Sequence, residues 1–101
     1  MRLSLPDISA IRHISSTTFL HEFKLYLFGS RVNDSLKGGD IDLMMVLKPE
    51  DQESALQSKY QFLAQLKNEI GYQKIDLIIV SNLNHPFTLE VLPTAILLAE
   101  R

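Results

Sequence analysis

Residues 27–47 read LFGSRVNDSLKGGDIDLMMVL, and their reading decides the fold. An apolar run of strand type is preceded by two glycines and carries two acids, Asp40 and Asp42. Aspartate is disfavoured in a strand and glycine weakens one, so the cost calls for an offsetting use. Side chains alternate across a strand, so Asp40 and Asp42 project to one face while Ile41, Leu43, Met45 and Leu47 line the opposite, buried face. The stretch predicts a strand over 40–47, apolar toward a core and acidic on the other side.

Working outward, Lys24–Phe28 is short, aromatic and apolar, and Gly29 with Ser30 punctuates it, as in a buried strand ending in a tight turn. The polar stretch 31–39, in which Asn33, Asp34, Ser35, Gly38 and Gly39 supply turn chemistry, is a loop that can hold one helical turn after Ser30. Upstream, Pro6 and Asp7 open a helix with Ile8, Ile11 and Ile14 at helical spacing, fading near 15–18. Downstream, Pro49, Glu50, Asp51 and Glu53 suit the free N–H groups of a helix start. Leu56, Tyr60, Leu63, Leu66 and Ile70 follow at three- and four-residue steps, and Gly71 stands where a left-handed terminal residue is wanted.

A third strand is expected at Ile75–Val80, bounded by Ser81, Asn82 and Asn84. Residues 85–92 form a short helix that Pro93 ends or kinks, and 95–99 reads equally as a terminal strand or a further helical turn. The order of elements is α+β, with helices covering one face of a small mixed sheet.

The 101 residues show no composition break or repeat, which predicts one domain over 1–101. With 46% hydrophobic and 22% charged residues the chain can fill one core, so disorder is not expected. The net charge of -2, with scattered lysines and arginines, disfavours a polynucleotide partner. The apolar runs are too short for a membrane span and MRLSLPDIS lacks a signal-peptide apolar region, so a cytoplasmic location is expected. The absence of cysteine excludes disulfides and thiolate chemistry, and His13, His21 and His85 lack metal spacing, which leaves them as surface or capping residues.

On the third strand, alternation puts Asp76 opposite Ile75, Leu77 and Ile79. If this strand neighbours the second, three carboxylates converge. Two unit charges about 4 Å apart repel by roughly 4 kcal/mol at an effective dielectric near 20, so such a cluster is frustrated without a cation. Carboxylate ligands with no histidine or cysteine beside them favour Mg²⁺ or Mn²⁺ over zinc. A lone pair of strand acids is ordinarily just solvated surface. Here it follows a Gly29–Ser30 turn whose N–H groups and hydroxyl can approach phosphate oxygens, and together these outline a nucleotide and metal site.

LFGSR (27–31), GGDIDLMMVL (38–47) and KIDLIIV (74–80) together resemble the minimal nucleotidyltransferases of the polymerase-beta-like superfamily, whose pattern is Gly-Ser, a loop, then Asp-x-Asp. The resemblance spans about 25–80. Nine residues, one fewer than is common, separate Ser30 from Asp40, and Val32, Asn33 and Asp34 replace the small-Arg-Gly that often follows Gly-Ser-Arg. The resemblance implies that Asp40 and Asp42 hold two Mg²⁺ ions bridging the triphosphate of ATP, and that Gly29 and Ser30 grip its β and γ phosphates. It further implies that Asp76 binds one metal and orients or deprotonates an acceptor hydroxyl. Arg31 and Lys37 read as phosphate contacts or, with equal weight, as plain surface cations.

Larger relatives of that family carry a further domain for the acceptor and base, which is not found here. Proteins resembling this chain are commonly paired with a helical HEPN-type protein as antitoxin and toxin, and add AMP to it. The resemblance therefore implies a protein adenylyltransferase of antitoxin type. The alternatives are a binding module that neutralises a partner by contact alone and a small-molecule nucleotidyltransferase completed by oligomerisation. The intact Gly29, Ser30, Asp40, Asp42 and Asp76 weigh against contact alone.

Overall fold

In the computed structural model, which describes residues 1–33, 39–71 and 73–101, Ser4 opens the first helix, α1 (Leu5–Thr18). Its hydroxyl accepts the Asp7 N–H at 3.2 Å, with Pro6 and Asp7 in the first turn. The helix extends through the serine–threonine run and ends with it at Thr18. Ser15, Ser16 and Thr17 turn their hydroxyls onto the carbonyls three residues back, at 2.8–3.1 Å, so these polar side chains are satisfied inside the helix. Ile8, Ile11 and Ile14 form its buried face.

Strand β1 (Lys24–Phe28) follows and runs straight into one 3-10 turn, Gly29–Val32. Strand β2 (Ile41–Val46) pairs antiparallel with β1, placing Leu27 opposite Leu43 and Leu25 opposite Met45. Asp34, Ser35, Lys37 and Gly38 lie outside the described residues. A 3-10 turn at Pro49–Asp51 leads into the long helix α2 (Gln52–Ile70), which closes on Gly71 at φ +89° with its N–H on the Lys67 carbonyl. This helix crosses over to β3 (Ile75–Val80), which lies parallel to β2.

Beyond it, α3 (Pro86–Val91) ends in a 3-10 turn around Pro93. The segment that periodicity left open is a strand, β4 (Ile96–Glu100), antiparallel to β1. The sheet order is β3-β2-β1-β4. Arg12 of α1 donates to the Leu98 carbonyl at 2.7 Å and ties the helix to that edge strand.

The two long helices share the apolar face of the sheet, where Leu25, Leu27, Ile41, Leu43, Met45 and Leu77 are fully buried against Ile11, Phe19, Phe62 and Leu66. The face of α2 differs from the expected row. Leu56 and Tyr60 are exposed, at 48% and 75%, while Ala55, Phe62 and Leu66 are inside. Phe62 lies 5.3 Å from Phe19, and burying that ring rotates the helix toward it, leaving Leu63 and Ile70 on the border. On the opposite face of the sheet Met44 is fully buried, and Phe87 of α3 packs edge-on to Phe28 at 5.8 Å.

Candidate functional site

The parallel ladder between β2 and β3 sets Asp42 directly beside Asp76. Register partners in adjacent strands project to the same face, so the two carboxylates that the sequence separates by 33 intervening residues are neighbours. Asp40 stands one residue ahead of β2, with its carboxylate 3.5 Å from Lys74 Nζ across the mouth of the same ladder. Burial pushes the Asp42 carboxyl above its ordinary range, the charges of Asp40 and then Asp76 push it further, and Lys74 partly opposes them. Burial is the larger cause, and the repulsion expected of neighbouring acids adds to it. Asp76 is exposed, and its Oδ1 accepts the Leu77 N–H at 2.9 Å.

The antiparallel ladder places Phe28 opposite Asp42, so the turn that follows β1 begins beside the same carboxylate. Gly29 has φ +79°, and a Cβ there would lie 2.6 Å from Asp42 Oδ2. Glycine is required twice, for the backbone conformation and for the room it leaves. Gly39 has φ +89°, and a Cβ on it would run into Ser30 Oγ. The sequence marks Gly39 only as a turn residue, yet its missing side chain is what leaves room for the Ser30 hydroxyl.

Arg31 braces the turn with three of its five N–H donors. Its three guanidinium nitrogens donate to the Gly39 carbonyl at 3.3 Å, the Arg2 carbonyl at 3.0 Å and Gln73 Oε1 at 3.2 Å. Arg2 answers from the other side, with its N–H on the Arg31 carbonyl at 2.7 Å and its guanidinium on the carbonyls of Ser30 and Asn33 at 3.0 and 3.1 Å. Arg2, Lys74 and Gln73 were not singled out in the sequence, because only the fold brings them to the turn. Lys37 lies outside the described residues.

A cavity of about 420 Å³ opens on the acidic side of β3, between Ile78 and Val80, which share the face of Asp76, and Phe87. Its rim carries Gln52, Asn82 and His85. Asp40, Asp42 and Asp76 do not line it.

The donor set fits a hard divalent cation, because it consists of carboxylates beside a serine hydroxyl. Among the described residues no three such side chains already stand as a closed ligand set. Asp42 and Asp76 are side by side, and Asp40 is turned toward Lys74.

A mixed sheet whose first strand ends in a glycine–serine turn, against a pair of carboxylates on the next two strands, has the architecture of a nucleotidyltransferase. A family model described as Polymerase beta, Nucleotidyltransferase matches residues 17–101, and the chain belongs to that family. Its activity class is therefore nucleotidyl transfer, which in this family generally uses a nucleoside triphosphate and a divalent metal. Comparison with curated proteins returned no match. Most of α1, with the residues before it, precedes the matched region. Among the described residues no helix is long and apolar enough to cross a membrane.

Proposed function

We propose that this chain transfers AMP from ATP to a hydroxyl on a partner protein, as the antitoxin-type member of a pair with a helical HEPN-type protein. The observation that carries the catalytic part is the Asp42–Asp76 register, set against the Gly29 turn. In this reading Gly29 and Ser30 hold the β and γ phosphates, with Arg31 bracing the turn, and Asp40, Asp42 and Asp76 hold two Mg²⁺ ions. When bound, the ions neutralise the triphosphate and the charge that develops on it during transfer.

The acceptor oxygen forms a bond to the α-phosphorus as the bond from that phosphorus to the bridging oxygen of the β-phosphate breaks. Pyrophosphate leaves, and the hydroxyl proton is taken at Asp76 Oδ2, since Oδ1 is occupied by the Leu77 N–H. The phosphates sit at the end of β1 and Asp76 on β3, two strands away, so the acceptor and the leaving group approach from opposite sides. Holding both in line supplies much of the rate enhancement.

The surface after β3 supports a protein partner. Leu89 and Leu97 are exposed, at 58% and 43%. Exposed apolar side chains on an edge strand and on the short helix before it are suited to a helical partner.

The test is to incubate the chain with labelled ATP, Mg²⁺ and the protein encoded by the adjacent gene, and to locate the label by mass spectrometry. Stoichiometric labelling of one hydroxyl, lost in Asp42→Asn, is the expected result. A tight complex without label, in which wild type and Asp42→Asn neutralise the partner equally, would replace this reading with neutralisation by contact alone.

A further inference from the structure

We infer that Arg2, outside the family-matched region, is the residue that binds the terminal phosphate of the nucleotide; the inference rests on the nucleotide-binding reading above. Two arginines meet at the Gly29–Val32 turn, and they are spent differently. Every guanidinium nitrogen of Arg31 already donates to protein, to Gly39, Arg2 and Gln73. Arg2 uses Nε on the Asn33 carbonyl and one terminal nitrogen on the Ser30 carbonyl, and its other terminal nitrogen has no acceptor among the described residues. No carboxylate pairs with Arg2 among the described residues.

That charge adjoins Gly39. A Cβ on Gly39 would meet both Ser30 Oγ and, at 3.9 Å, the terminal nitrogen of Arg2 that bonds Ser30. Serine hydroxyl, arginine fork and glycine backbone are therefore neighbours at the end of β1. The Ser30 hydroxyl has no hydrogen-bond partner among the described residues either. A guanidinium held by two backbone carbonyls, with donors to spare beside an unspent hydroxyl, is a pre-set fork for phosphate oxygens. The two carbonyls orient Arg2 without neutralising it, and Arg31 fixes the Arg2 backbone by accepting its N–H and donating to its carbonyl.

The experiment measures equilibrium binding of MgATP, MgADP and AMP to the wild-type chain, Arg2→Gln and Arg2→Lys, with a thermal melt of each. AMP reports on the nucleoside end of the site and ATP adds the terminal phosphates. The expected result is that Arg2→Gln weakens MgATP by about tenfold or more, the loss of one charge-assisted contact. AMP binding changes little, MgADP falls between, and Arg2→Lys recovers part of the loss. An unchanged ratio of ATP to AMP affinity in Arg2→Gln, whether both are retained or both fall together with the melting temperature, overturns the assignment and leaves Arg2 as a brace for the turn. A folded wild-type chain that binds no MgATP overturns the nucleotide-binding reading itself, and this inference with it.

Discussion

Asp42 and Asp76 are register partners on adjacent parallel strands, and the first of them is held with its carboxyl raised above the ordinary carboxylate range by burial and by the charges of Asp40 and Asp76. A group whose folded pKa is raised favours the fold while it is protonated and disfavours it once ionised. Stability from this site is therefore fully present below the ordinary aspartate value of about 3.9 and is lost as pH rises through the higher folded value. Asp42→Asn removes the ionisation. In chelator at neutral pH the variant should melt at or above the wild-type temperature, and the difference should vanish toward pH 3. Mg²⁺ with ATP should raise the melting temperature of wild type and not of Asp42→Asn, which should also lack transfer activity. A wild-type chain that gains nothing from Mg²⁺ and ATP would remove the metal from the site.

Asp76 shares the ladder but is exposed, and in the proposed reading it serves the acceptor hydroxyl. Asp76→Ala should therefore lower the transfer rate by at least about a hundredfold, the usual scale for a lost general base, while ATP affinity changes far less. Single-turnover rates measured beside equilibrium ATP binding separate the two. A transfer rate equal to wild type would return Asp76 to the status of a solvated strand residue.

Three glycines of positive φ offer an internal control. Gly29→Ala combines strained backbone with a Cβ 2.6 Å from Asp42 Oδ2, whereas Gly71→Ala, at φ +89°, meets nothing within 4 Å. Both should lose about 1–3 kcal/mol of stability from the backbone alone. Only Gly29→Ala should lose transfer activity, because only there does the added methyl displace the carboxylate. Denaturant melts and transfer assays on the two variants check the contrast.

The orientation of α2 is open to the same kind of comparison. Phe62 is fully buried and Tyr60, two residues earlier, is 75% exposed. Phe62→Ala should cost about 3–5 kcal/mol, and Tyr60→Ala less than about 0.5 kcal/mol. Equal costs in urea denaturation would show that the helix presents the other face.

Much of this architecture was legible in the amino-acid sequence because it is written in short-range physics. Alternation along 40–47 puts Asp40 and Asp42 on one side and Ile41, Leu43 and Met45 on the other without reference to anything distant. The glycine–serine turn, the cap at Gly71 and the three strands already expected depend on neighbours a few residues away. The face of α2 was misread at Leu56 and Tyr60 because both fit the helical period, and the choice among apolar stripes was made by the Phe62–Phe19 contact, which no local period encodes. The segment 95–99 was ambiguous for the same reason: it is a strand because β1 has an edge for it to pair with.

The site divides along the same line. The residue types, three acids and a Gly–Ser turn, are properties of the chain. That Asp76 stands beside Asp42 is a property of the β2–β3 register, and that Lys74 faces Asp40 follows from it. Arg2 lies 28 residues from Ser30, and Gly39 earns its role only by what its missing Cβ would strike, so neither carries a local signal. Local sequence sets which way a side chain leaves the backbone, whereas which side chains then meet depends on chain segments closing loops against one another, and only the folded whole resolves that competition.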